Sequence, residues 1–207
     1  MTHCGSKQLR RRRVVGVFGG SFNPVHTGHL IVASYIAQWS DADEVWLMLS
    51  PLNPFKAADA ELIAAEPREE MLRLAAEESE ALKVCDTQLS LPVPSYTIDA
   101  LDALAALHPD CDFRCIIGSD SWSGFGRWRE SARIISDYGV IIYPRPGYPV
   151  DASALPRGVE IVDAPTVEIS STFIREACGA GKDISYFVPQ SVRRYILDNN
   201  LYRHDTL

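Results

Sequence analysis

Apolar and polar residues divide this chain into two kinds of alternating segment. Short apolar runs at 14–18, 44–49, 83–86, 113–118, 138–143 and 159–162 are typical of buried strands. Helical composition marks 30–38, 68–80, 95–107, 170–178 and 189–199, and the Trp-rich stretch 119–135 predicts one or two short helices. Because helices separate the strands, we predict a doubly wound, mostly parallel, Rossmann-like α/β sheet of about six strands with helices on both faces.

The length and composition fit one domain. The chain has 207 residues, of which 46% are hydrophobic and 23% are charged, with no internal repeat or linker. We therefore predict a single domain over 14–207. The run Arg10 to Arg13 lies in a polar start that lacks the apolar core of a secretory signal, so we predict a disordered basic tail over 1–13.

Charge and cysteine usage restrict the partners and the compartment. A net charge of −7 and a pI near 5.2 argue against nucleic acid as a partner. No apolar run approaches the ~20 residues of a membrane span, so we expect no membrane partner. The five cysteines are scattered without a C-x-x-C pair, which indicates reduced thiols and a cytoplasmic protein.

A loop with the sequence Gly-Gly-Ser-Phe-Asn-Pro-Val-His-Thr-Gly-His occupies 19–29, between the first predicted strand and the first predicted helix. Gly19 and Gly20 permit tight turns and close approach of a ligand. The helix start offers free N–H groups to an anion, and His26 and His29 add two imidazole donors. The loop has neither the Walker A pattern nor G-x-G-x-x-G, yet its composition predicts a phosphate site.

A second polar motif opens the predicted helix at 170–178. Its three hydroxyl residues are Ser170, Ser171 and Thr172, and Arg175 follows within about a turn. One hydroxyl is enough to cap a helix start. Three hydroxyls together with an arginine form an anion site with charge-assisted donors, so we expect a second phosphate contact here.

These two motifs, with Ser-Tyr-Thr-x-Asp at 95–99, Gly-Ser-Asp at 118–120 and Arg-Pro-Gly at 145–147, resemble those of bacterial nicotinate mononucleotide adenylyltransferases. That family belongs to the nucleotidyltransferases with a His-x-Gly-His signature, and the resemblance runs from about residue 14 to about residue 202. Ser21, Asn23 and Ala100 depart from the commonest pattern. None of the three changes removes a charge or donor to which the resemblance gives a role.

The resemblance implies roles for single residues. His26, His29 and Arg175 would be catalytic, as contacts of the ATP phosphates. Trp128 would stack on the nicotinate ring, and Tyr96 and Thr97 would meet its carboxylate. The full set of implied substrate-binding residues is Gly19, Gly20, Ser21, Phe22, Lys56, Tyr96, Thr97, Gly118, Asp120, Trp128, Arg145, Ser170, Ser171 and Thr172. For several of these residues a purely structural role is the alternative, such as core packing for Trp128 and helix capping for Asp120.

The implied reaction joins ATP and nicotinate mononucleotide to give deamido-NAD and pyrophosphate. Mg²⁺ would come with the ATP and be carried mainly by its phosphates, without a metal site on the protein. His26, His29, Lys56 and Arg175 would supply positive charge. The alternatives are another acceptor such as nicotinamide mononucleotide or phosphopantetheine, a tRNA synthetase fragment, or a non-catalytic nucleotide-binding module. The sequence leaves open the acid or amide form of the pyridine, the role of the arginine tail, and whether the chain forms a homo-oligomer.

Overall fold

A six-stranded parallel sheet forms the centre of the computed structural model, which describes residues 11–51, 62–92 and 94–203. The strands are β1 (Arg13–Gly20), β2 (Glu44–Leu49), β3 (Leu82–Cys85), β4 (Cys111–Gly118), β5 (Val140–Tyr143) and β6 (Val159–Ile161). Their order is β3-β2-β1-β4-β5-β6, and every neighbouring pair is parallel. The predicted fold class is therefore confirmed, and no predicted strand end is more than two residues from its observed position.

Helices connect the strands in the predicted order. They are α1 (Thr27–Trp39), α2 (Ala65–Ala76), α3 (Thr97–Leu107), α4 (Ser119–Trp122), α5 (Ser131–Arg133), α6 (Ser171–Gly179) and α7 (Gln190–Asp198). The Trp-rich stretch holds α4 and α5, as predicted, with a 3₁₀ turn at Phe125–Arg127 between them and a π-helical turn at Ile134–Tyr138 after them. Among the described residues, none of the helices has the length and apolarity that crossing a membrane requires.

Two hydrophobic clusters cover the two faces of the sheet. One unites α1, α2, α6 and α7 with one side of the strands, for example Ile36, Ile174 and Leu47. The other unites α3 with the opposite side, for example Leu101 and Val17. Because both faces are covered, central strands carry apolar residues at successive positions, and all six residues of β2 are buried.

The strand order reverses direction between β1 and β4. The chain leaves β1 through α1 toward β2 and β3, and it returns through α3 to place β4 on the other side of β1. In an open α/β sheet, the loops at such a reversal diverge and leave a crevice at the carboxyl ends of the strands. The sheet thereby places the start of α1 and the start of α4 beside one crevice.

The amino-terminal arginines extend into the folded region. Arg13 is the first residue of β1, so the strand begins inside the predicted tail. Arg12 forms an ion pair with Asp112 at 2.7 Å and donates to the carbonyl of Pro109 at 2.8 Å. Residues 1–10 lie outside the described part of the chain, so a disordered tail stays a prediction for them.

Candidate active site

His26 and His29 cap the first turn of α1 reciprocally. Nδ1 of His26 accepts from the backbone N–H of His29, and Nδ1 of His29 accepts from the backbone N–H of His26, both at 3.3 Å. The two rings stack with centroids 3.7 Å apart. Since Nδ1 of each ring is an acceptor, the neutral form of each histidine carries its proton on Nε2. The cap thus makes both side chains Nε2–H donors.

His26 is neutral at pH 7. Its side chain is only 4% exposed. Burial, with a smaller contribution from the positive charge of Arg145, lowers the pKa of His26 from 6.5 to about 4. The expectation that His26 supplies positive charge to bound phosphate stays a prediction. In the ligand-free protein His26 presents a neutral hydrogen-bond donor.

Phe22 supports the histidines from within the loop. Its backbone has a positive φ of 44°. Its ring is 2% exposed and packs edge-on against His29 at a centroid distance of 5.0 Å. A Cβ on Gly20 would lie 2.9 Å from this ring, so glycine is needed there for close packing. The sequence predicted Phe22 as a substrate contact, but the structure places its side chain in the core beneath the loop.

The start of α6 lies against the same loop, so the fold brings the two predicted phosphate motifs together. Ser170 caps α6 by accepting from the N–H of Phe173 at 3.1 Å, and Ser171 donates to the carbonyl of Pro24 at 2.9 Å. Arg175 is 8% exposed and donates to the carbonyl of Asn23 at 3.0 Å. Arg175 thus holds the loop from behind, and its contact with a ligand phosphate stays a prediction.

A cavity of about 380 Å³, which we call the cleft, opens where β1 and β4 end. Six of the predicted substrate-binding residues line it: Gly19, Gly20, Tyr96, Thr97, Gly118 and Trp128. Trp128 is half-buried and packs on Phe125 at a ring distance of 5.2 Å. Its packing role and its place in the cleft therefore coexist.

The cleft also contains polar residues that sequence reasoning did not identify as site residues. The helix predicted over 95–107 begins at Thr97, with Tyr96 as its N-cap. Ser95 is 3% exposed and accepts from Nε2 of Gln88 at 3.1 Å, and both side chains line the cleft. Since the Ser95 oxygen accepts this bond, its hydroxyl proton is left to donate to another group. No local sequence pattern marks Gln88, which reaches the cleft through the chain's return after β3.

The charge of the cleft favours an anion. Arg127 and Arg129 flank Trp128 and line the cleft, whereas no Asp or Glu does so among the described residues. The guanidinium of Arg129 lies 5.0 Å from the ring centre of Tyr96 and 3.6 Å from Asp99. Asp99 also accepts from the N–H of Tyr96 at 3.1 Å. The arginines were identifiable as sequence neighbours of Trp128.

Arg145 and Asp120 both approach Gly118, which lines the cleft. The backbone N–H of Arg145 donates to Ser119 at 2.9 Å, and its guanidinium lies 5.3 Å from the ring centre of Tyr143. Nε of Arg145 is buried and has no hydrogen-bond partner among the described residues. The exposed Asp120 accepts from the N–H of Ser121 at 2.9 Å, but it lies within α4, whose N-cap is Gly118, so it does not cap the helix. A small cavity beside Arg145, His26 and His29 continues the crevice.

Two further expectations concern Lys56 and the metal. Lys56 lies outside the described residues. Within 11–51, 62–92 and 94–203, no three His, Cys, Asp or Glu side chains are grouped so that they could hold a metal ion.

Comparison with known proteins identifies the family. Residues 17–177 match the model of the Cytidylyltransferase-like family. A relative from Bacteroides fragilis, named a probable nicotinate-nucleotide adenylyltransferase, is 48% identical over 182 residues, or 88% of this chain and 90% of the relative. The chain belongs to the nicotinate-nucleotide adenylyltransferase family. A Porphyromonas gingivalis member with the same name is 41% identical over 85% of this chain and 89% of its own length.

A solved structure agrees with the fold of this nicotinate-nucleotide adenylyltransferase family member. Plasmodium falciparum nicotinic acid mononucleotide adenylyltransferase complexed with NaAD superposes with a TM-score of 0.75 at 22% identity. The match covers 92% of this chain and 97% of the other. The protein is thus an enzyme of a nucleotidyltransferase family, whose members generally use a divalent metal ion.

Proposed function

We propose that this protein transfers the adenylyl group of ATP to nicotinate mononucleotide and so forms deamido-NAD and pyrophosphate for NAD biosynthesis. One observation carries the proposal. The loop with His26 and His29 and the arginine-flanked cleft lie side by side at the point where the strand order reverses. The names of the bacterial relatives and the NaAD bound to the Plasmodium protein support it.

Each substrate has a distinct place in this proposal. The ATP phosphates would lie at the start of α1, where backbone N–H groups, His26 and His29 offer donors. The pyridine ring would enter the cleft beside Trp128. The two sites meet at Gly19 and Gly20, which end β1 and line the cleft.

The reaction depends more on positioning the two substrates than on an activated nucleophile or base of the protein. A 5′-phosphate oxygen of the mononucleotide attacks the α-phosphorus of ATP, and the bond from that phosphorus to the bridging oxygen of pyrophosphate breaks. The attacking oxygen is already anionic, so no general base and no covalent enzyme intermediate are needed. Catalysis then rests on in-line alignment and on donors aimed at the charge that develops as pyrophosphate leaves. The Nε2–H groups of His26 and His29 are fixed donors of this kind.

The metal belongs with the nucleotide. We propose that Mg²⁺ arrives bound to ATP, since no carboxylate cluster of the described residues could hold it. When bound, the ion would neutralise phosphate charge. The residues of this chain would orient the phosphates through hydrogen bonds to their remaining oxygens.

The polar groups of the cleft favour nicotinate over nicotinamide. The start of α3 directs N–H groups and the positive end of a helix dipole toward the cleft, and Ser95 adds a hydroxyl donor. A carboxylate can accept hydrogen bonds from all of these donors. The NH₂ group of an amide is itself a donor, so it would leave some of them unpaired. We therefore propose a kcat/KM for nicotinate mononucleotide about 100-fold above that for nicotinamide mononucleotide, or about 2.7 kcal/mol in the transition state.

We also propose that residues 14–207 act as one domain in the cytoplasm. The support is the continuous sheet and the four described cysteines, Cys85, Cys111, Cys115 and Cys178, which are all free thiols.

A coupled pyrophosphate assay tests the function. Purified protein is incubated with MgATP and, in turn, nicotinate mononucleotide, nicotinamide mononucleotide and phosphopantetheine. The proposal expects rapid pyrophosphate release with the first acceptor only. Faster release with phosphopantetheine would reassign the acceptor, and ATP binding without release with any acceptor would indicate a nucleotide-binding module.

A further inference from the structure

Arg68 of α2 is a buried arginine outside every motif described above. Only 1% of it is exposed to solvent. Its guanidinium donates to five backbone carbonyls: Nη1 to Ser21 at 2.7 Å and Ser50 at 2.9 Å, Nη2 to Pro51 at 3.1 Å, and Nε to Ile63 at 3.0 Å and Ala64 at 3.2 Å. Among the described residues, no carboxylate forms an ion pair with it. Its hydrogen-bonding capacity is therefore directed at the main chain.

The positions of these carbonyls are informative. Ser21 directly follows β1, and Ser50 and Pro51 directly follow β2, while Ile63 and Ala64 lead into α2. Burying a guanidinium without a countercharge is unfavourable, and desolvation accordingly lowers the pKa of Arg68. An apolar residue would fill the space without this penalty. Unlike an apolar residue, the arginine joins three chain segments at the carboxyl ends of the strands, where the site lies.

The Ser21 bond connects Arg68 to the histidines. Ser21 precedes Phe22, whose ring packs against His29. Two residues after Ser21, the carbonyl of Asn23 accepts from Arg175 of α6. Guanidinium groups from two different helices therefore hold carbonyls two residues apart, on the segment that leads to His26.

We propose that Arg68 is a positioning residue for adenylyl transfer, because its guanidinium fixes the carbonyl groups that follow β1 and β2 and thereby places His26 and His29 against the ATP phosphates. This inference rests on the proposed function. Arg68 is behind the loop, so it acts through the loop and makes no contact with substrate.

Arg68→Lys tests the proposal, with Arg73→Lys as the matched control on the same helix. A lysine keeps the charge but lacks the planar fork that serves several carbonyls at once. Arg73 is exposed and pairs with Glu69, so its replacement changes the same chemistry away from the site. Displacing donors by about 1 Å reduces turnover about 100-fold. We expect Arg68→Lys to lower kcat/KM for ATP 10- to 100-fold and to change the Kd of nicotinate mononucleotide, from calorimetry, by less than about threefold.

The readouts separate positioning from a purely structural role. Replacing a purely structural residue would lower Tm but leave kcat/KM for ATP unchanged at a temperature well below Tm. That result would overturn the proposal. Equal losses for both substrates would overturn it too. Arg68→Ala gives a second test, because added guanidinium ion should restore part of the turnover that this variant loses. The same ion should not raise the turnover of the control variant Arg73→Ala. Failure of both Arg68 variants to fold, judged by circular dichroism, would make Arg68 a stability residue only. An inactive wild-type protein would instead refute the proposed function.

Discussion

Acid should destabilise this protein through His26. In the unfolded chain a histidine takes up a proton as the pH falls through 6.5, but folded His26 resists protonation until about pH 4. Between these values the unfolded state binds more protons, so the free energy of unfolding falls as the pH is lowered. For these two pKa values, the loss between pH 7 and pH 5 is about 2 kcal/mol.

Urea unfolding at pH 7 and pH 5, followed by far-UV circular dichroism, measures this loss. His26→Asn keeps a side chain that can cap α1 but removes the titrating group. The difference between the two pH values should shrink by about 2 kcal/mol in this variant. Val32→Ala, a buried α1 variant that does not titrate, controls for general destabilisation and should retain the full pH difference. An unchanged pH difference in His26→Asn would refute the assignment of a neutral, buried His26.

Three further substitutions test the site. His29→Ala should lower kcat about 100-fold, as expected for one fixed donor, and turnover within a factor of three of wild type would contradict its role. Arg175→Ala should weaken ATP binding by about 1.5–3 kcal/mol in calorimetry, with the affinity for nicotinate mononucleotide nearly unchanged; equal losses would indicate structural damage. Trp128→Ala should raise the KM of both pyridine mononucleotides about tenfold, since stacking is common to both rings, and a change for only one would exclude stacking.

The sheet was predictable because its signals are local. The six residues of β2 are apolar except Glu44, and all are buried, so the chain itself marks a strand covered on both faces. Helix starts were less certain. The helix predicted from residue 95 begins at Thr97, because Ser95 is buried and bonded to Gln88. The contact between Ser95 and Gln88 depends on the path of the chain after β3, so no local sequence pattern predicts it.

The candidate site was predictable where its residues form motifs and unpredictable where they do not. The loop at 19–29 and the motif at 170–175 are about 150 residues apart. The fold joins them through the bonds of Ser171 to Pro24 and of Arg175 to Asn23. Arg68 had no such signal. It lies among Glu66, Glu69 and Glu70 and resembles a solvated arginine of a surface helix, because its burial arises only when α2 packs against the sheet edge.

The charge state of the histidines shows why a motif alone does not fix chemistry. The sequence predicts that His26 supplies positive charge to bound phosphate, whereas in the ligand-free protein its ring is buried and its pKa is lowered. A neutral His26 avoids burying a second cation beside Arg145, and its Nε2–H still donates. Because a nearby negative charge stabilises an imidazolium, nucleotide phosphate bound at the loop should raise the pKa of His26. The ligand-free loop then avoids an uncompensated buried imidazolium, and only an anion bound at the loop would stabilise the protonated form of His26.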